Sequence, residues 1–401
     1  MQRQMQIETG WCRKVLASLG MGKPAWAAPD IGALKEDTSE SSKELAFKDP
    51  MDTDLAVSVL SRYGIHATFS DKYIGPSVTT YEFEIPVGTR FSAITRVRDD
   101  LARDLQCQSL RIIQSVEHSS RIALEVENID RFGVSFRGLY KGIPESMCLP
   151  IIMGEDTRGQ PVYEDLASMP HLLVAGQTGS GKSVFLSTTL LSLVCRMSPE
   201  KLQLLIVDPK KVEFVEFEGL PHLMEPIASC PADAISLVDR AVEEMERRFG
   251  LLRDVRVKKI SDYNKTASEP LPYIVLLIDE YADLMLMGTP AQRREVEGKI
   301  VRIAQKARAV GIHMILATQK PLASVVTPLI KANLPARAAF SVTSGIDSRV
   351  ILDECGAEVL GGQGDMIYRD PNARSEYARL RRIQASWISD EDVRLLFNRR
   401  R

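Results

Sequence analysis

Apolar and polar residues alternate in two different ways along this chain, and the change falls near residue 150. Between residues 51 and 145, some stretches place apolar residues three or four positions apart, and others place them at every second position. The first pattern predicts helices with one buried face, and the second predicts half-buried strands. The predicted helices are centred near Val59 and Leu101, and the predicted strands are residues 78–85, 109–116 and 121–127. This mixture predicts a small α+β domain.

Beyond residue 150 the apolar residues fall in short continuous runs that are separated by helical or loop stretches. Such runs are typical of parallel strands that are covered by helices on both faces of a sheet. The predicted strands are residues 172–175, 202–207, 274–278, 312–317 and 338–342. The second domain is therefore predicted to be α/β, with a mostly parallel sheet.

Length and composition place these two domains within the chain. A chain of 401 residues exceeds the size at which one hydrophobic core usually stops growing, so two folded units are expected. Residues 1–50 mix small and charged residues without periodicity, which predicts a flexible leader, and residues 387–401 are interpreted as a basic C-terminal tail. The small α+β domain then spans residues 51–148, and the α/β domain spans residues 149–386.

The composition also excludes several functional classes. The six cysteines and five histidines show no ligand spacing, so neither a zinc site nor a disulfide framework is expected. The longest apolar runs are far shorter than the ~20 residues of a membrane-spanning helix, and the N-terminus has no secretory signal, so the chain is predicted to be cytoplasmic. With a formal net charge of −2, binding to a polyanion would depend on local basic residues.

The strongest chemical signal follows the first predicted strand of the α/β domain. A glycine-rich loop joins that strand to a helix and has the G-x-x-x-x-G-K-S pattern of a phosphate-binding loop, or P-loop. Its residues are Gly176, Gln177, Thr178, Gly179, Ser180, Gly181, Lys182 and Ser183. Backbone amides and the helix N-terminus would stabilise phosphate charge, Lys182 would reach the β- and γ-phosphates, and Ser183 would ligate Mg²⁺. The loop therefore predicts binding of ATP with Mg²⁺.

Other predicted strands end in polar residues with catalytic potential. One is followed by Asp279, which is placed to hold the Mg²⁺ shell, and by Glu280, which can act as general base on the attacking water. Another leads to Gln319, which is placed to sense the γ-phosphate, and a third ends at Lys210, a candidate for contact with the nucleotide or a neighbouring chain. Because ligands of open α/β folds collect at the carboxyl ends of strands, we expect these residues to lie together.

The order of these motifs resembles the motor core of the FtsK/SpoIIIE family of DNA translocases. The match is carried by residues 176–183, 208–210, 218–222, 278–280, 307–313, 317–319 and 346–349 in that order, and several of these runs have no generic ATPase explanation. Upstream, residues 75–84 and 101–105 resemble the small domain that precedes the motor in that family. The resemblance extends over roughly residues 50 to 385.

The resemblance implies a RecA-like P-loop ATPase domain that hydrolyses ATP to move double-stranded DNA through a ring-shaped homo-oligomer, expected to be a hexamer. Arg308 lies where the family places an arginine that reaches a neighbouring subunit's ATP, a trans arginine finger. Lys320, Lys331 and Arg349 match positions that face the pore in the family and contact the DNA backbone. Phosphate contacts of this kind give affinity without sequence preference.

The sequence also departs from the family pattern and leaves alternatives open. Gly345 stands where the family often has a further basic pore residue, which predicts a weaker grip on DNA. The membrane anchor and the C-terminal winged-helix module that are usual in the family are expected to be missing, so an anchor would come from a membrane-bound partner. Two alternatives remain: the ATPase of a specialised protein secretion system, and a non-motor nucleotide-dependent DNA scaffold. The intact Glu280 argues against the scaffold because it predicts hydrolysis.

Overall fold

The computed structural model of the chain describes residues 26–34, 48–107, 109–115, 118, 120–169, 171–286, 289–375 and 378–398. Two sheets organise these residues. A four-stranded sheet is formed by the first part of the chain, and a nine-stranded sheet is formed by the rest. Each sheet has its own layer of helices and its own buried apolar residues.

The four-stranded sheet is antiparallel throughout, with the order β1-β2-β4-β3. Its strands are β1 (Thr68–Ile74), β2 (Val78–Glu84), β3 (Leu110–Gln114) and β4 (Arg121–Glu127). The helices are α1 (Thr53–Arg62), α2 (Phe91–Arg96) and α3 (Arg98–Asp104). The side chain of Asp52 accepts hydrogen bonds from the first backbone amides of α1 and so fixes its start. Alternate residues of β2, such as Tyr81 and Phe83, pack against Leu60 and Leu101 in one core.

The nine-stranded sheet has the order β6-β5-β13-β12-β11-β7-β10-β9-β8. Its strands are β5 (Pro150–Asp156), β6 (Pro161–Asp165), β7 (His171–Ala175), β8 (Leu202–Val207), β9 (Tyr273–Ile278), β10 (Ile312–Thr318), β11 (Ala336–Phe340), β12 (Asp365–Arg369) and β13 (Leu380–Gln384). The neighbours β11, β7, β10, β9 and β8 run parallel, and the remaining pairs are antiparallel. The carboxyl ends of β7, β9 and β10 therefore meet at one edge.

Helices cover both faces of this sheet. Along β7, Leu172 and Val174 belong to the buried cluster that includes α5, whereas Leu173 and Ala175 belong to the cluster that includes α6 and α9. The helices are α4 (Phe136–Tyr140), α5 (Lys182–Val194), α6 (Pro231–Asp254), α7 (Ile260–Thr266), α8 (Tyr281–Leu286), α9 (Pro290–Lys306), α10 (Pro328–Asn333), α11 (Gly345–Leu352) and α12 (Asp390–Asn398). Within the described residues, none of the helices combines the length and apolarity needed to cross a bilayer.

A buried group of opposite charges joins the two sheets. Arg382 on β13 donates two hydrogen bonds to Asp365 on β12, with N···O distances of 3.0 and 2.7 Å, and lies 3.4 Å from Glu125 on β4. Arg111 on β3 donates to the same Glu125 carboxylate at 3.0 Å. All four side chains are buried. Because a buried charge is costly when it is unpaired, these contacts hold β3 and β4 of the small sheet against β12 and β13 of the large sheet.

The predicted fold class, a RecA-like P-loop ATPase domain preceded by a small α+β domain, is confirmed. Two segments at the ends of the chain pack more closely than the sequence suggests. Of the predicted leader, residues 26–34 and 48–50 are described, and Ile31 and Leu34 are buried in the large core. In the stretch interpreted as a basic tail, α12 buries Val393 and Leu396 in the same core.

Candidate nucleotide-binding site

The P-loop follows β7 and ends at the first turn of α5. Gly179 and Gly181 have φ angles of 79° and 103°, in the left-handed region that favours glycine. A side chain at Gly181 would also collide with the backbone of Gly364, whose amide donates a 2.9 Å hydrogen bond to the carbonyl of Ser180. The two glycines thus allow the backbone conformation of the loop. The segment that leads into β12 packs against the loop and hydrogen-bonds to it.

Lys182 and Asp279 form a buried ion pair beneath the loop. Nζ of Lys182 donates to Oδ1 of Asp279 at 2.6 Å and to the Asp279 carbonyl at 3.1 Å. Both side chains are almost fully shielded from solvent. Oδ2 of Asp279 and the hydroxyl of Ser180 are buried and have no hydrogen-bond partner in the described structure. Buried polar atoms are usually satisfied, so these two atoms are exceptions beside the P-loop.

Glu280 is held by residues at the end of the adjacent strand. Its Oε1 accepts from the Thr318 hydroxyl at 2.7 Å and from the Ala282 amide at 3.2 Å, and its Oε2 accepts from the Gln319 amide at 2.9 Å. The side-chain carbonyl of Gln319 accepts from the hydroxyl of Thr178 in the P-loop at 2.9 Å. A short chain of hydrogen bonds therefore connects the general-base candidate to the phosphate-binding loop.

A cavity of about 600 Å³ opens at this edge of the sheet. One part is lined by the P-loop and the start of α5, and a second by residues at the ends of β8 and β10, among them Lys210, Glu213 and Gln319. A third part is a wall of two chain segments, residues 131–134 and 384–387. The cavity is large enough for a nucleotide, and its lining includes Gln319 and six of the eight P-loop residues.

Arg308 lies at the opposite edge of the sheet. It belongs to the 3₁₀ turn Ala307–Val310 before β10, is exposed, and donates from Nη2 to the carbonyl of Ser168 at 3.0 Å. Ser168 precedes β7, whereas Lys182 follows it. At a rise of ~3.3 Å per residue, β7 alone separates the two positions by roughly 17 Å. Arg308 is therefore out of reach of its own P-loop.

The predicted DNA contacts occupy different surroundings. Lys320 follows β10, and Arg349 lies on α11; both are exposed. Lys331 on α10 is paired with Asp353 at 2.6 Å, and the same carboxylate binds Arg337 at 2.6 Å. Among the described residues, no hydrogen bond or ion pair joins Lys320, Lys331 and Arg349 to one another.

Sequence reasoning gave no role to two parts of the site. Thr318 stands within the run 317–319 that carries the family resemblance, and its hydroxyl bonds both Glu280 and the backbone of Lys320. The wall formed by residues 131–134 and 384–387 carries no motif that points to a nucleotide. Thr318 could be found from the sequence, because it stands at the carboxyl end of a predicted strand. The wall could not, because it forms only when distant segments come together in the folded chain.

The parallel strands, the P-loop and the strand-end carboxylates define a RecA-like P-loop ATPase. Family models match residues 144–323 as "FtsK/SpoIIIE family" and residues 28–128 as "FtsK alpha domain". DNA translocase FtsK of Haemophilus influenzae is 40% identical over 364 residues, which cover 83% of this chain and 67% of that protein. The chain belongs to the FtsK/SpoIIIE family.

Two further relatives and two solved structures extend the comparison. The chain is 42% identical to DNA translocase FtsK of Streptococcus pneumoniae, covering 85% of this chain and 45% of that protein, and 38% identical to that of Pasteurella multocida, covering 92% and 42%. It thus spans less than half the length of these curated relatives. The pCW3 conjugation coupling protein TcpA, a monomer form with ATPγS, has the same fold, with a TM-score of 0.60 and 24% identity over 87% of this chain and 99% of that one. The cytoplasmic domain of the Thermomonospora curvata Type VII secretion ATPase EccC gives 0.55 and 26%, over 67% and 32%.

Proposed function

We propose that this chain is the motor part of an ATP-driven translocase that moves double-stranded DNA through a homo-oligomeric ring, with a hexamer as the expected assembly. The observation that carries the proposal is the convergence of the P-loop, the Asp279-Glu280 pair and Gln319 on one sheet edge. That edge belongs to a chain 40% identical to a protein named DNA translocase FtsK.

Each residue at this edge has a chemical role in the proposed hydrolysis. The P-loop amides and Lys182 bind the phosphates, and Glu280 accepts a proton from the attacking water. Gln319, which is already bonded to Thr178, detects the γ-phosphate. The hydroxyl of Ser183 and the unpartnered Oδ2 of Asp279 are hard oxygen donors that suit Mg²⁺. When bound, the ion would neutralise phosphate charge.

Arg308 supports the proposed ring. Because it is exposed on the edge away from its own P-loop, it is free to approach the ATP of an adjacent subunit, where a cation would stabilise charge on the transferred phosphate. In this proposal each active site is completed by its neighbour, and DNA passes the exposed cations Lys320 and Arg349 at the centre of the ring.

The proposal is tested by the ATPase rate with and without long linear duplex DNA. We expect duplex DNA to raise turnover several-fold and the protein to displace a third strand from a triplex on that duplex. Lys182→Ala is the control because it removes phosphate binding. ATP turnover that is indifferent to duplex DNA would reject the translocase.

A second candidate, the ATPase of a protein secretion system, is favoured by one observation. The Type VII secretion ATPase EccC has a TM-score of 0.55 with 26% identity. In that case an exported peptide would stimulate turnover and duplex DNA would not. The same assay, run with both ligands, separates the two functions.

A further inference from the structure

The turn that carries Arg308 has buried residues on both sides of the arginine. It is the 3₁₀ turn Ala307–Val310, which follows the last residue of α9 and leads into β10. Ala307 and Val310 are buried, whereas Arg308 is exposed between them. Gly311 ends the turn with a φ angle of 72°, and its amide donates to the carbonyl of Arg308 at 3.1 Å. The position of Arg308 therefore depends on how this turn is held from the protein interior.

A buried arginine on α6 contacts this turn from the interior. Arg248 is 1% exposed, and its Nη1 donates to the carbonyl of Val310 at 3.0 Å and to the carbonyl of Pro272, which precedes β9, at 2.7 Å. Its Nε donates to Oε1 of Glu244 at 2.8 Å, so its charge is paired. One planar guanidinium thus joins α6, the start of β9 and the end of the turn.

The contact with Val310 restrains the end of a helix. The last carbonyls of a helix have no partner within it, and helix ends fray. Arg248 bonds one carbonyl at the end of the 3₁₀ turn that continues α9. Its guanidinium presents its donors in a fixed plane, which a flexible lysine ammonium does not do. The buried contact therefore restricts where the backbone of Arg308 can lie.

Accurate placement matters for an arginine that acts on a phosphate. A cation lowers the barrier where charge develops, and displacement of a catalytic group by ~1 Å can lower the rate about 100-fold. In the proposed ring, Arg308 meets its phosphate across a subunit boundary. The fold of the subunit that provides the arginine must therefore fix its position before the two subunits meet.

We propose that Arg248 is a positioning residue for Arg308. Through the carbonyl of Val310 it holds the 3₁₀ turn so that Arg308 is presented to the nucleotide of the adjacent subunit. This assignment rests on the proposed function, in which Arg308 acts in trans. Arg248 lies at the opposite end of the parallel strands from its own P-loop, because Pro272 precedes β9 and the P-loop follows β7. Loss of its contact should therefore impair hydrolysis at the neighbouring subunit's site and leave its own P-loop intact.

Steady-state ATPase kinetics of the full chain with duplex DNA test this role. Arg248→Lys keeps a charge beside Glu244 but replaces the planar donor, and should lower kcat roughly 10- to 100-fold with KM little changed. Arg248→Met, which also removes the charge, should be at least as slow. Val238→Ala is the matched control, because Val238 is buried on the same helix about 15 Å from Arg248 and its loss should lower stability without changing kcat. Unchanged affinity for ADP shows that a variant keeps a folded P-loop.

Two further comparisons distinguish positioning from a general structural role. Arg248→Lys subunits, when mixed with Lys182→Ala subunits, should regain turnover, because an intact Arg308 then meets an intact P-loop at some interfaces. Arg248→Lys combined with Arg308→Ala should be no slower than Arg308→Ala alone, because a positioning residue acts only through the arginine that it positions.

The positioning role and the proposed action in trans fail in different ways. Wild-type kcat in both Arg248 variants, loss of ADP affinity in both, or losses that multiply in the double variant would overturn the role of Arg248 alone. So would mixed subunits that recover turnover with Arg308→Ala but not with Arg248→Lys. A wild-type rate in Arg308→Ala would overturn both the action in trans and its positioning residue.

Discussion

Nζ of Lys182 lies 2.6 Å from Oδ1 of Asp279, and both side chains are buried, so the phosphate-binding cation and the strand-end carboxylate neutralise each other. Nζ of Lys182 gives two of its three N–H donors to Asp279, so a second hydrogen bond to phosphate requires that Lys182 exchange Asp279 for phosphate oxygens. If a cation binds the freed carboxylate, Lys182 and Asp279 each keep an opposite charge beside them throughout. The exchange then costs little free energy. The pair therefore keeps the nucleotide-free site from holding an isolated buried charge.

The first prediction concerns the stability of this pair. Asp279→Ala leaves Lys182 buried without a counter-charge and should lower the free energy of unfolding by about 3–5 kcal/mol. Replacing both residues, in Lys182→Met with Asp279→Leu, should restore much of that loss because no charge remains buried. Chemical denaturation of the nucleotide-free chain measures both. Losses that simply add in the double variant would show that the two residues are not coupled.

The second prediction concerns the position of Glu280. Glu280→Gln should bind ATP but hydrolyse it at least 10²-fold more slowly, because the general base is removed. Thr318→Val removes the 2.7 Å hydrogen bond that orients the Glu280 carboxylate and should lower kcat roughly 10-fold with KM little changed.

Thr318→Ser is the matched control for this position, since it keeps the hydroxyl and loses only a methyl group. Steady-state ATPase kinetics compare the three variants. Wild-type turnover in Glu280→Gln would remove Glu280 from the role of general base, and a Thr318→Ser enzyme as slow as Thr318→Val would show that packing, not the hydrogen bond, is responsible.

The strand ends explain how much of this site is predictable. In a parallel sheet, carboxyl ends of neighbouring strands share an edge, so the P-loop, Asp279 and Gln319 could be grouped from local patterns alone. The pairing of Glu280 with Thr318 follows from the same argument, once β9 and β10 are neighbours. What the pattern lacks is the order of the strands, which depends on pairing between distant segments.

The antiparallel half of the large sheet shows this limit. Strands β12, β13, β5 and β6 extend the parallel half on the side of β11. Only the folded chain brings the end of β13 beside the P-loop, where Trp387 lines the cavity. The helix α12 is a similar case. Its many charged residues suggest an exposed tail, although Val393 and Leu396 are buried.

The third prediction concerns catalysis between subunits. Arg308→Ala should lower DNA-stimulated turnover by roughly 10³-fold if the arginine acts on a neighbour's ATP. Mixing Arg308→Ala with Lys182→Ala subunits should restore part of the activity, because some interfaces then combine an intact arginine with an intact P-loop. Turnover is measured over a range of mixing ratios. Proven co-assembly without any recovery would count against action in trans.

The fourth prediction concerns acid stability and rests on His171. Burial, with a smaller effect of neighbouring His313, lowers the pKa of His171 to about 3. In the unfolded chain its pKa is near 6.5, so between pH 6.5 and 3 the unfolded state binds a proton that the folded state does not. Stability should therefore fall as the pH falls, with His171 contributing about 1.4 kcal/mol per pH unit.

His171→Asn tests this assignment, because an amide oxygen can still accept the hydrogen bond that the Met314 amide donates to Nδ1 at 3.0 Å. The variant should flatten the dependence of unfolding free energy on pH below 6.5. His66→Asn provides the same substitution at an exposed histidine for comparison. Equal slopes for wild type and His171→Asn would contradict the prediction.

The fifth prediction concerns DNA. Lys320→Ala and Arg349→Ala should each flatten the slope of log affinity against log salt by about one unit, because each removes one phosphate contact. Basal turnover without DNA should stay near the wild-type value for both variants. Salt titrations of duplex binding provide the measurement. A slope that stays unchanged in the double variant would place the DNA elsewhere.

A more specific prediction can be made for Lys331, because the structure shows which carboxylate competes with DNA phosphate for its side chain. Asp353 neutralises Lys331 at 2.6 Å, so a contact between Lys331 and a phosphate must first break this pair. Asp353→Asn should free Lys331 and tighten DNA binding several-fold, with a steeper salt dependence. The fold should survive, because the two arginines that also pair with Asp353 keep other partners: Arg337 donates to three backbone carbonyls, and Arg369, 3.5 Å from Asp353, donates to the carbonyl of Leu352. The gain should disappear when Asp353→Asn is combined with Lys331→Ala, and equal gains in both backgrounds would show that Lys331 does not touch the DNA.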